Sequence, residues 1–298
     1  MNASMIEPSA VRELTLADRE RLLSLKKDIR MSFYNFTNLF IWRKPIHLRV
    51  REIGGCVCLS SQWRAGRLFA YYPLGESPDL RAILKTIRDT TDAKVTLGPL
   101  DERMAGEVKA LFPDAELRER RGLCDYVYRY EDLTELKGDK YHGKKNHYNR
   151  FIASYDWEYI EIGKDNRDLL KQAAETFRPE GDGELADEYR TVEELIAHFD
   201  AFSLHAAVLK ANGAIAAYSI GEVIDGDTAL IHIEKGDRTV SGAYAAINRL
   251  FLQNSFRGCA YVNREEDMGL EGLRKAKLSY HPCRLDPVYE VDLDSLPL

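Results

Sequence analysis

Apolar and polar residues alternate along Ala229-Leu230-Ile231-His232-Ile233-Glu234, which predicts a strand with Leu230, His232 and Glu234 on one face and Ala229, Ile231 and Ile233 on the other. One face of an otherwise core-like strand is therefore polar. A glycine-containing turn from Gly236 to Gly242 follows, then a helical pattern from Ala243 to Arg257, a short strand, and the polar loop Asn263-Arg264-Glu265-Glu266-Asp267-Met268-Gly269. A turn leading into a helix presents free backbone N–H groups at the positive end of the helix dipole, so Arg238-Thr239-Val240-Ser241-Gly242-Ala243 is expected to bind an anion beside a titratable carboxylate.

The same periodicity lays out the rest of the chain. An amphipathic helix is expected over about Leu16 to Asp28. The aromatic run Phe33 to Trp42 reads either as core packing around a buried polar turn or as one wall of a pocket. Strands at His47–Ile53, Cys56–Ser60 and Arg67–Tyr72, separated by Gly54-Gly55 and Ala65-Gly66, form an antiparallel meander, and a helix capped by Ser77 starts at Pro78 and runs to about Arg88. Downstream, Leu204–Leu209, Ala214–Ile224 and Thr228–Glu234, divided by Asn212-Gly213 and Asp225-Gly226, repeat the order meander, turn, helix with unrelated residues. Repetition of one supersecondary unit implies two similarly folded α+β halves, divided as residues 1–155 and 156–298.

Between the repeats lie a strand at Cys124–Tyr130 and the most basic stretch of the chain, Lys137 to Phe151. Helical spacing from Lys144 puts Tyr148 and Phe151 near one side and Lys145, Asn149 and Arg150 elsewhere. The run reads either as a solvated helix face or as a grip for phosphate and stacked bases. The second half opens with a strand at Trp157–Ile162 and a helix at Asn166–Phe177. An acidic loop follows at Glu180–Glu184, either mobile surface or a lid that attracts a cation, then a helix over about Thr191–Phe199. A helix at Leu270–Lys277 and a strand near Val288–Val291 close the chain.

A chain of 298 residues fits two domains of roughly 150 residues each. A net charge of −6 is unlike a dedicated nucleic-acid binder, so local patches must carry any such role. The five scattered cysteines lack paired spacing, which argues against a disulfide framework and a structural zinc site and makes Cys56 and Cys58 small core residues. Met1 to Pro8 has neither a basic nor an apolar leader segment and no apolar run reaches membrane-spanning length, so a cytoplasmic protein without integral membrane association is expected.

The order of elements in the second half resembles the GNAT acyltransferase fold, whose pyrophosphate turn reads Arg/Gln-x-x-Gly-x-Gly/Ala; Arg238 and Ala243 fit, while Ser241 stands at the first glycine position. Three long segments, Phe36–Trp42, Tyr141–Phe151 and Asn263–Lys277, are similar to the DUF2156 family, itself similar to the C-terminal domain of phosphatidylglycerol lysyltransferase and more remotely to the Fem peptidyltransferases. The resemblance implies two tandem GNAT-like domains. It further implies transfer of an acyl or aminoacyl group, from aminoacyl-tRNA or acyl-CoA, to an amine or hydroxyl on a small-molecule or peptide acceptor; the residue spacing gives no metal site.

Such a transfer needs a fixed carbonyl, donors for its oxyanion and an acceptor for the nucleophile's proton. Glu234, Glu265, Glu266 or Asp267 can orient the acceptor or take its proton, Lys275, Lys277 and the amides near Gly242 can meet negative charge, and Tyr280 can act as an acid. Lys144, Lys145, Asn146 and Arg150, with Arg238, Ser241 and Asn263, are candidates for holding a tRNA end or another phosphate. Structural alternatives stand beside each: Glu265 and Glu266 bracing Arg264, Arg274 and Lys275, a strand-end pair of Glu234 with Lys235, a satisfied buried His232 and a packed Tyr280. The competing functions are a coenzyme A-dependent N-acetyltransferase and a non-catalytic binder of RNA or an anionic metabolite. The transferase reading requires the basic helix and the acidic segment to border one cavity, expected between the two halves.

Overall fold

A computed structural model describes residues 8–26, 28–76, 79–181 and 183–298. The leader reading at residues 1–7, the end of the first helix at Lys27, the Ser77-Pro78 helix start and Asp182 of the acidic loop lie outside them.

The chain divides into two compact units, residues 1–124 with 286–298, and residues 125–285. The first is built on β1 (Arg12–Glu13), α1 (Arg19–Leu25), α2 (Phe36–Trp42), β2 (Arg49–Ile53), β3 (Cys56–Arg64), β4 (Arg67–Ala70), α3 (Leu80–Asp89), β5 (Lys94–Leu100), α4 (Glu102–Leu111) and β6 (Arg118–Glu119). Its sheet runs β1-β2-β3-β4-β5, then the C-terminal strand Tyr289–Asp292, then β6. The expected meander is present, and β5 adds parallel to β4 through α3. The aromatic stretch is core: Phe36, Leu39, Phe40 and Ile41 are buried, and the buried Tyr34 hydroxyl donates to the Pro99 carbonyl and accepts from Tyr72 N–H. Cys56 and Cys58 are buried and free, as expected of small core residues.

The second unit contains β7 (Asp125–Arg129), α5 (Tyr130–Glu135), α6 (His142–Ser154), β8 (Trp157–Glu161), α7 (Arg167–Thr176), α8 (Glu184–Ala197), β9 (His205–Ala211), β10 (Ala214–Ile224), β11 (Thr228–Gly236), α9 (Ala243–Ser255), β12 (Tyr261–Asn263), α10 (Glu271–Leu278) and β13 (Arg284–Asp286). Its sheet order is β8-β9-β10-β11-β12-β7-β13. The β9-β10-β11 meander is antiparallel, and α9 carries the chain over to β12, parallel to β11. Ala243, Ala246, Ile247 and Phe251 of α9 pack with Ala229 and Ile231 of β11, Leu209 of β9 and Tyr128 of β7, which places the apolar face of β11 where alternation puts it.

The two sheets correspond strand for strand, and in each the sixth strand comes from a distant part of the sequence. Tyr128 of β7 lies opposite Val262 of β12, and Val291 of the C-terminal strand lies opposite Leu97 of β5. The expected division at 155/156 is therefore corrected to 124/125, because strand pairing commits β7, and α6 with it, to the second unit. Helix α8 begins at Glu184, earlier than the expected Thr191, so it absorbs the end of the acidic loop.

Candidate functional site

Strand β11 is not a regular ladder. Ile220 lies opposite Ile233 while the next residue, Gly221, lies opposite Ile231, so His232 is the extra residue of a β-bulge. Gly221 is needed there, since a Cβ on it would stand 2.6 Å from the Leu230 carbonyl. The bulge aims a fully enclosed imidazole at two carboxylates: Nε2 is 2.9 Å from Glu222 and Nδ1 is 3.3 Å from Glu265. Burial alone would lower the His232 pKa, but the hydrogen bonds to Glu222 and Glu265 outweigh it and raise the value to about 9. His232 is thus a satisfied buried cation at neutral pH, tying the strand to the loop after β12.

That loop is fastened from several sides. Arg264 N–H donates to the Tyr126 carbonyl and Tyr126 N–H to the Glu265 carbonyl. Lys277, on α10, directs its ammonium to the carbonyls of Arg264, Glu265 and Glu266, using all three of its donors. Asn263 donates to Asp125 and accepts from Glu265 N–H. The fully buried Asp267 accepts from Arg274 Nε at 2.8 Å, Arg274 Nη2 at 3.0 Å, the Tyr126 hydroxyl at 2.6 Å and Gly269 N–H at 2.8 Å; burial opposes its ionisation, yet these bonds hold it below the ordinary carboxylate range. Glu265 and Met268 take left-handed backbone angles, φ 56° and 53°, a strained conformation for residues with side chains. Asn263, Asp267 and Lys277, expected as substrate-binding or catalytic candidates, are engaged in bracing the loop. Burial, with Glu265 and Asp125 nearby, pushes the carboxyl of Glu266 up.

Beside this brace stands the cluster that the loop positions. Glu234 accepts from Arg264 Nη2 at 2.7 Å and from Asn248 Nδ2, on α9, at 3.0 Å. It does not pair with Lys235, whose ammonium lies 2.6 Å from Glu188. The Arg264 guanidinium lies 4.9 Å from the centre of the Tyr280 ring and 5.8 Å from that of Tyr128, and Lys144 Nζ of α6 lies 4.1 Å from the Tyr280 ring. Arg264 Nη1 and Asn248 Oδ1 are buried without a hydrogen-bond partner among the described residues, one donor and one acceptor on either side of the same carboxylate. Burial pushes the Tyr280 phenol up to about 12, so it remains a protonated hydroxyl. The basic helix and the segment near the C-terminus thus meet inside the second unit, at Lys144, Glu234, Arg264 and Tyr280.

The remaining candidates lie apart from this cluster. Lys145, Asn146 and Arg150 are exposed on α6, while Phe151 is buried, which matches the expected helical faces. Lys275 and Arg238 are exposed. Four amides of the turn before α9 are engaged within the protein. Thr239 N–H donates to Asp237 Oδ1, Val240 N–H to the Asp237 carbonyl, Ser241 N–H to the Tyr155 hydroxyl and Ala243 N–H to the Val240 carbonyl. Gly242, at φ 84°, lies so close to α6 that a Cβ on it would stand 2.2 Å from the His147 carbonyl oxygen. Sequence reasoning missed Asn248 and Glu222 and read Arg264 only as a brace; the available signal was a polar residue interrupting each of two mainly apolar segments, Asn248 in Ala-Ala-Ile-Asn-Arg-Leu-Phe-Leu and Glu222 in Tyr-Ser-Ile-Gly-Glu-Val-Ile.

Two matching sheet-and-helix modules, each a meander followed by a helix and a parallel strand, define a tandem GNAT-like fold. A tandem GNAT protein from the clavulanic acid biosynthesis pathway superposes with a TM-score of 0.53 at 12% identity, covering 96% of this chain and 99% of that one. The chain belongs to the family described as phosphatidylglycerol lysyltransferase, C-terminal, which matches residues 28–291. It is similar to a conserved protein of unknown function from Bacteroides thetaiotaomicron, at 32% identity and TM-score 0.84 over 97% of this chain and 99% of that one. It also resembles L-PGS from Bacillus licheniformis, at 15% identity and TM-score 0.63 over 94% and 93%. No curated protein matches the chain. Among the described residues, no helix is long and apolar enough to cross a membrane.

Proposed function

We propose that this protein transfers an aminoacyl group from an activated ester, with aminoacyl-tRNA as the donor, to an amine or hydroxyl acceptor. The observation that carries the reading is the buried pair of unpartnered groups flanking Glu234, Arg264 Nη1 and Asn248 Oδ1, beside the half-exposed Lys144. Attack on an ester carbonyl places negative charge on its oxygen, and a buried guanidinium N–H is the kind of donor that stabilises it. Asn248 Oδ1 accepts an N–H or O–H of the nucleophile, and Glu234 fixes both neighbours. The exposed Lys145 and Arg150 give α6 a basic outer face suited to a nucleic-acid backbone. Purified protein mixed with a panel of charged tRNAs is expected to accelerate loss of the aminoacyl ester for at least one of them. No acceleration with any member of the panel would remove this reading.

A second reading, a non-catalytic binder of RNA or an anionic metabolite, draws on the same exposed basic face. It predicts salt-dependent RNA binding that survives Glu234→Gln, with no turnover, and it is lost if Lys145→Ala with Arg150→Ala leaves binding unchanged. Four amides of the turn before α9 are already engaged, which is an argument for tRNA over coenzyme A as donor. Calorimetry with acetyl-CoA tests this directly, with no heat of binding expected.

A further inference from the structure

The cluster around Glu234 carries two cations against one carboxylate, and its polar groups are unequally spent. Lys144 is half-exposed, its ammonium lies over the Tyr280 ring and Glu234 faces it, so it stays charged at neutral pH although burial and Arg264 oppose that charge. The Tyr280 hydroxyl is protonated. Glu234 accepts from Arg264 Nη2 and Asn248 Nδ2, and a proton on it would strip the Arg264 guanidinium, whose side chain is 13% exposed, of its counter-ion. The other titratable groups of this strand and loop are committed elsewhere. His232 is enclosed between Glu222 and Glu265, Asp267 is held by Arg274 and Tyr126, and Glu266 faces Glu265, Asp125 and Lys277. What the cluster leaves open to an incoming nucleophile is Asn248 Oδ1, a buried neutral acceptor without a partner among the described residues.

From this geometry we infer that the acceptor is an amine, that the transfer makes an amide bond, and that a hydroxyl is a poor acceptor in this site. The inference rests on the acyl-transfer reading above and narrows it. An alcohol must give its proton to a base as it attacks, and the cluster spends its one carboxylate on fixing two neighbours. A neutral amine attacks with its own lone pair and releases a proton afterwards. The surplus positive charge acts in the same direction, because it disfavours the ammonium form and keeps a bound amine nucleophilic. The nitrogen lone pair forms the bond to the ester carbonyl carbon, the π pair of the carbonyl moves onto its oxygen beside Arg264 Nη1, and an N–H of the adduct donates to Asn248 Oδ1. Collapse restores the carbonyl, breaks the bond to the donor's leaving oxygen, and a proton from the nitrogen passes to that oxygen. The products are an amide and a free hydroxyl on the donor.

The probe is 6-aminohexan-1-ol, which offers both nucleophiles on one chain and so removes binding from the comparison. The intact protein, a charged tRNA that it discharges and this probe are mixed, and the product is read by mass spectrometry before and after hydroxylamine, which cleaves esters and spares amides. After subtraction of the reaction without protein, the aminoacyl group is expected on nitrogen at least about 100-fold more often than on oxygen, the ratio that a missing general base imposes. Lys144→Gln removes one of the two cations and is expected to slow amide formation at neutral pH at least about 10-fold, and Lys144→Arg, which restores the charge, to recover at least about threefold of that loss. Transfer to the hydroxyl as fast as to the amine overturns the inference and leaves acyl transfer standing. So does ester discharge that neither this probe nor glycinamide speeds beyond the rate with water. Amide formation by Lys144→Gln at the wild-type rate overturns it as well. Wild-type protein that discharges no aminoacyl ester removes the transfer reading and the amine acceptor with it.

Discussion

The Glu234 carboxylate and the Arg264 guanidinium stand 2.7 Å apart with side chains only 10% and 13% exposed. Two charges are rarely taken out of water unless each fixes the other, and removing one partner of such a pair leaves a buried charge uncompensated. Arg264→Met is therefore expected to destabilise the second unit by about 3–5 kcal/mol, measured by urea unfolding. Glu234→Gln keeps the shape and removes the charge. It should recover part of the loss when combined with Arg264→Met, a coupling that a double-mutant cycle measures.

His232 makes stability depend on alkaline pH. Its folded value of about 9 lies above the ordinary 6.5, so its contribution is complete below pH 6.5 and is lost as the pH rises to 9. Unfolding free energies at those two limits should differ by about 3 kcal/mol on this account. In His232→Gln the difference should largely vanish, and a variant that keeps the full wild-type slope would show that other groups cause it.

Asp267 acts in the opposite direction. Its folded carboxyl is held below the ordinary 3.8 by its hydrogen bonds, so its contribution is present above that pH and is lost as the pH falls through and below it. Asp267→Asn is expected to lower stability by roughly 2 kcal/mol at neutral pH and to converge with wild type on acidification. A group that only braces the loop should also leave the shape of the pH–rate profile unchanged.

Gly242 is required twice, by its left-handed φ of 84° and by its approach to the His147 carbonyl. Gly242→Ala is expected to cost at least about 2 kcal/mol, because the backbone penalty adds to a displacement of α6. Since α6 carries Lys144, a heat-stable residue of folded Gly242→Ala protein should show weaker turnover as well. Equal stability of variant and parent in thermal unfolding would refute the packing argument.

The meanders were legible because alternation and glycine turns are local signals, and β9, β10 and β11 fall within a few residues of their expected limits. No element was expected over Lys94–Leu111, where Gly98-Pro99 interrupts a run that nonetheless forms β5 between two neighbours. The domain boundary was illegible for a different reason: nothing in Asp125–Arg129 states which sheet it will join. Of the site, Lys144, Glu234 and Tyr280 could be named from residue type and position. The roles of Arg264 and Asn248 could not, since they come from the loop clamp by Lys277 and from the way α9 crosses the sheet. The bulge at His232 was equally hidden, because it depends on a register set by Gly221 across the strand pair.

The strand Tyr289–Asp292 fills the gap between β5 and β6. Residues as far as Asp292 must therefore be made before the earlier-made module can seal its sheet, whereas the later-made module already has its borrowed strand in hand. Synthesis order and maturation order are inverted, and a nascent chain stalled shortly before Tyr289 would expose an open β edge in the half that was translated first.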